Sequence, residues 1–130
     1  MTRTILVVVA LAGAGACVSA DDPSLDRWHY TYATVIAPRC TTSACHSPLS
    51  NAGSLDLSDD ATAYRELTGR ACSDTTTAVA GYVDTADPTA SRLSMLLHRN
   101  DAKGMPPAQP LADQEIQSIE DWMKAGAACD

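Results

Sequence analysis

The chain has 130 residues, enough for one small domain, and its 16 acidic against nine basic side chains give a net charge of −7. That balance argues against a nucleic-acid binder and against electrostatic docking on anionic lipid, and it suits a basic protein partner. Phe is absent and two Trp with four Tyr are the only aromatic residues, so the core material is sparse enough to call for a covalent staple or a bound cofactor.

Residues 1–16 read as a signal peptide. Arg3 gives the positive start, and the apolar run 5–16 is short for a membrane span. Ala14-Gly15-Ala16-Cys17 resembles a bacterial lipoprotein signal, with Ala14 where Leu is usual. Val18-Ser19-Ala20 before Asp21 offers ordinary cleavage as the alternative. Either reading sends the protein out of the cytoplasm. A lipidated Cys17 implies a periplasmic or outer-membrane lipoprotein that touches the membrane only through its anchor. Cleavage before Cys17 removes Arg3 alone among the charges and leaves a net of −8.

Residues 17–24 form a polar tether, and the domain proper is expected over 25–130. Leu25, Trp28, Tyr32, Val35 and Ile36 recur at helical spacing behind Ser24 as N-cap, which predicts a helix over 25–37 ended by Pro38. The chain then meets Cys40-Thr41-Thr42-Ser43-Ala44-Cys45-His46.

Two thiols followed at once by an imidazole form the signature of covalent haem attachment, here with four intervening residues in place of the usual two. Each thiol adds across a vinyl group to form a thioether, and the adjoining His46 is then held where it can ligate iron. A Cys40–Cys45 disulfide or half of a zinc site would use the same residues.

Downstream, 47–54 is a run of turn formers. Ser58 and Asp59 can cap a helix over 61–67 closed by Gly69, and 72–80 carries little signal. Asp87 as N-cap and Pro88 at the first helical position predict a helix through His98. Lys103-Gly104-Met105-Pro106-Pro107 sits in a loop stiffened by consecutive prolines, so Met105 is presented off any helical core spacing.

A last helix over 113–125 buries Ile116, Ile119 and Met123, with Trp122 beside them as core or against a cofactor edge. Glu115, Gln117, Ser118, Asp121 and Lys124 face out, and Gly126 follows as C-terminal stop. No stretch reads as a sustained strand. The expected fold is all-α, with about four helices whose long loops wrap one flat cofactor.

The order of these features resembles the small cytochrome c domains of planctomycete and myxobacterial type, many of which are exported lipoproteins. The likeness spans 27–127. It rests on Cys45-His46, Asp87-Pro88 with Ser91 and Leu93, Met105-Pro106, and Ile119 through Trp122 to Gly126-Ala127. Ala112, where Ser or Thr often caps the last helix, and the wide cysteine spacing are departures.

The resemblance implies a haem c bound by Cys40 and Cys45, with His46 as proximal and Met105 as distal axial ligand. His98, and less so Met95 or His29, stand as alternatives to Met105. Two cysteines for haem and one for lipid leave Cys72 and Cys129 for a disulfide in an oxidising compartment. The function so implied is one-electron transfer without substrate turnover, so the protein is not itself an enzyme, and service to a partner enzyme through an unidentified redox protein stays open. The competing reading is a haem-free, disulfide-stapled structural or binding lipoprotein.

Overall fold

The computed structural model describes residues 27–107 and 109–130, and among them there is no strand. The signal peptide, Cys17, the tether and the Ser24 cap lie outside the described residues. No described helix is long and apolar enough to cross a membrane.

Four helices build the fold. The first, α1, covers 28–40 and buries Trp28, Thr31, Val35 and Ile36 along one stripe. Pro38 does not end it. The turn Tyr32–Ile36 is a π-helix, with the Ala37 N–H donating to Tyr32 O, and an α-turn Ala37–Cys40 follows. A proline ring in a regular α-helix collides with the carbonyl four residues earlier. One widened turn just before Pro38 accommodates it, and the helix reaches Cys40 itself.

Helix α2, Asp60–Thr68, starts where Asp59 accepts a hydrogen bond from the Thr62 N–H at 3.0 Å, and stops at Gly69 with φ of 72°. The predicted helix from Asp87 through His98 is instead two pieces. Asp87 caps a 3-10 turn, Pro88–Ala90. Ser91 then adopts an extended conformation and its Oγ accepts from the Ser94 N–H at 3.2 Å, opening α3, Arg92–Leu97. Ser91 is a second N-cap inside the predicted helix, and a residue with extended φ/ψ cannot continue one.

Helix α4, Asp113–Lys124, begins at Ala112, which has no side-chain oxygen to give. The N-terminal amides are served from the other direction, with Glu115 Oε2 accepting from the Ala112 N–H at 2.8 Å. Gly126, with φ of 101°, ends the helix as expected.

Helices α1, α2 and α4 meet in an aromatic wedge. The Trp28 and Trp122 ring centroids are 4.9 Å apart, and Tyr64 stands edge-on to Trp28 at 5.5 Å. Trp122 is therefore core and does not border the cavity described below. The Tyr64 hydroxyl donates to Ala127 O at 2.8 Å and the Trp122 indole N–H to Ala128 O at 2.9 Å, which fixes the C-terminal tail over this wedge. Beside it, Cys72 and Cys129 form a disulfide with Cα atoms 5.1 Å apart.

Candidate functional site

Away from the aromatic wedge, the helix ends and loops leave a partly open cavity of about 240 Å³. Its walls are mostly aliphatic: Ile36 from α1, Leu67 from α2, and Leu93, Leu96 and Leu97 from α3. Cys40, Cys45, His46 and Met105 all line it too. Four residues drawn from a stretch of 66 residues, and singled out by their chemistry, thus line one mostly apolar space.

The loop 40–46 is shaped by its own backbone. The His46 N–H donates to Cys40 O at 3.0 Å and the Cys45 N–H to Thr42 O at 2.8 Å, so the four intervening residues fold into a compact turn. The Thr42 hydroxyl donates to Cys45 Sγ at 3.0 Å. Neither Cys40 nor Cys45 is disulfide-bonded. Burial pushes the Cys40 thiol up to about 11, the neighbouring Cys45 adding to the effect.

The His46 ring is oriented by the loop that follows it. Its Nδ1 lies 2.9 Å from Ala52 O and 3.3 Å from Leu55 O. Carbonyl oxygens only accept, so Nδ1 carries the proton, and in the neutral ring Nε2 holds the free lone pair. The two carbonyls are brought to the imidazole by a left-handed stretch: Asn51, Gly53 and Ser54 have φ of 44°, 65° and 59°. Two of the three lack glycine's freedom, a backbone cost of the kind that accumulates where a site is over-determined by its surroundings.

Across the chain, the Met105 N–H donates to Leu96 O at 3.0 Å, tying the proline-rich loop to α3. The preceding turn needs Gly104, because a Cβ there would lie 2.1 Å from Arg99 O. Met105 is 36% exposed while lining the cavity.

The alternative distal residues sit elsewhere. His98 Nε2 is 3.0 Å from Glu120 Oε1, a carboxylate that also accepts from the Ser94 hydroxyl, and His98 does not line the cavity. His29 contacts the Asp60 carboxylate, which also takes the Trp28 indole N–H. Met95 is exposed at 54%. Among the described residues no group of three or more His, Cys, Asp or Glu side chains is placed to hold a bare metal ion.

Two site residues were not singled out from the sequence. Arg39 lines the cavity and grips Glu115 bidentately, Nε to Oε1 and Nη2 to Oε2, both at 3.0 Å. Glu115 is thus a half-buried partner of α1 and not an outward surface residue, and the guanidinium holds its carboxyl below the usual carboxylate range. Arg92 lines the cavity with its guanidinium over the Tyr82 ring, 4.4 Å from the centroid. The position of Arg39 directly before Cys40 is a sequence signal for the first; Arg92 has none.

The residues present suit a covalently attached haem: two thiols and an oriented imidazole on one loop, a thioether sulfur on another, and an aliphatic lining for the ring. Compared with models of known protein families, with curated proteins and with solved structures, the chain has no match.

Proposed function

We propose that the protein is a monohaem c-type cytochrome of the cell envelope, an exported and lipid-anchored one-electron carrier, in keeping with the resemblance drawn from its sequence. The observation that carries this reading is the convergence of Cys40, Cys45, His46 and Met105 on one apolar cavity, with His46 Nδ1 already engaged by backbone carbonyls.

Each residue has a definite task. Cys40 and Cys45 would hold the haem covalently through thioether bonds, so His46 would not depend on ligation alone for its position. The Ala52 and Leu55 carbonyls hold the imidazole in the tautomer that presents Nε2. Met105 offers a soft, neutral sulfur from the opposite loop, a ligand type that favours the reduced state over a second imidazole. The aliphatic walls keep water from the ring faces. When bound, haem c would supply a reversible one-electron couple, and with His46 and Met105 both available as ligands the site would favour electron transfer over substrate binding.

The test is a pyridine haemochrome spectrum of the protein matured in a host with cytochrome c assembly machinery, after acid and organic extraction. Retained absorbance of the two-thioether type supports the reading. Loss of all haem, with an intact mass two hydrogens lighter for the Cys40–Cys45 pair, would turn the assignment to a stapled, haem-free binding lipoprotein. Met105→Ala should leave haem attached but convert the spectrum from low to high spin. An unchanged low-spin spectrum would remove Met105 as ligand.

A further inference from the structure

Two guanidinium groups line a cavity whose walls are otherwise mostly apolar, and their surroundings differ. Arg39 gives Nε and Nη2 to Glu115, so its charge is matched within the protein. Arg92 has no carboxylate partner among the described residues. Its guanidinium carbon lies over the ring of Tyr82, 4.4 Å from the centroid, and Tyr82 lines the same cavity.

Arg92 is exposed at the cavity's edge and Tyr82 is half-buried beneath it. The Tyr82 N–H donates to Leu67 O at 3.1 Å, and Tyr82 O accepts from the Leu93 N–H at 2.8 Å. The backbone of Tyr82 is thereby tied both to the end of α2 and to the first turn of α3, which carries Arg92. A guanidinium held over an aromatic ring has less freedom to lose when its fork engages a carboxylate. An uncompensated cation beside low-polarity walls attracts an anion more strongly than one in open water.

We propose that Arg92, stacked on Tyr82, is the carboxylate-binding residue of the cavity. It would take an ionised side-chain carboxylate of a tetrapyrrole held in this cavity, whereas Arg39 stays with Glu115 and braces α1 against α4. The assignment rests on the haem reading.

The experiment uses the full chain made in a host without haem-attachment machinery, titrated with iron protoporphyrin IX and, separately, with its dimethyl ester, binding being followed by Soret absorbance. The wild type should take the free acid on the order of fivefold more tightly than the ester, the upper range for an ion pair at a solvent edge. R92Q should bind acid and ester alike, at the affinity the wild type shows for the ester. R92K should keep part of the preference, and R39Q all of it. Far-UV circular dichroism of each variant separates a folding defect from a lost contact.

A full acid-over-ester preference in R92Q, or its loss in R39Q, would overturn the assignment. Wild type that retains covalent haem after maturation yet shows no preference overturns Arg92 alone. Wild type that neither binds a porphyrin nor retains haem overturns the haem reading, and the assignment with it.

Discussion

Cys40 and Cys45 share a cavity, a loop and a proposed fate, but they are not equivalent. Cys40 ends a helix, where the carbonyl-rich terminus disfavours an anion, and desolvation is the larger influence on its thiol, raised to about 11. Thiolate is the reactive form. In protein lacking haem, Cys40 should therefore be alkylated by iodoacetamide at pH 8 about 100-fold more slowly when folded than in urea, following a rise from 9.0 to about 11. Peptide mass mapping against time reads this directly, and equal rates in the two states would show that Cys40 is not shielded.

These residues stand out in the sequence because Cys45-His46 and Met105-Pro106 need no fold to be noticed, and the structure places them on one cavity. What His98 does was not legible. Its partner Glu120 lies 22 positions away on another helix, and only packing of α3 on α4 brings them to 3.0 Å.

At the scale of elements, the sequence signals for helix boundaries were right where a cap acts alone and incomplete where two compete. Asp59 and Gly69 bracket α2 as predicted, since no stronger signal lies between them. Pro38 looks like a stop because a single sequence does not reveal that the turn before it will widen to a π-helix.

In the segment from Asp87, two caps stand four residues apart, and the second governs α3. Ser91 is buried at 2% exposure, accepts the Ser94 N–H, and donates its hydroxyl to Met123 Sδ at 3.4 Å. Asp87, in contrast, is exposed and serves a single 3-10 turn. Ser91→Ala should thus lower stability by about 1 kcal/mol or somewhat more, and Asp87→Ala by less. Urea unfolding of the two variants gives the ranking. The opposite order would mean that the Pro88–Ala90 turn, and not the Ser91 cap, organises the helix lining the cavity with Leu93, Leu96 and Leu97.

For the whole molecule, the division of labour is between a half that folds around aromatic side chains and a half that surrounds a cavity. The aromatic half is closed by its own contacts. Tyr64, Trp122 and Arg70 all bond to carbonyls of 127 and 128, the last through Nη2 to Ala127 O at 3.1 Å. Cys129 is the next residue, so the native positions of Cys72 and Cys129 are held by hydrogen bonds and packing even without their bond.

The disulfide then acts mainly on the unfolded chain, where it closes a loop between residues 57 positions apart. In the chain-entropy treatment such a closure contributes about 4 kcal/mol, a large share of the roughly 5–15 kcal/mol typical of a domain. The double variant Cys72→Ser/Cys129→Ser should keep its native circular dichroism at 25 °C but unfold at clearly lower urea. Its denaturant slope should rise, because the unlinked unfolded chain exposes more surface. A lowered midpoint with unchanged slope and distorted native spectra would instead place the effect in the folded state. The bridge would then be shaping the tail over the aromatic wedge, and not only limiting the freedom of the unfolded chain.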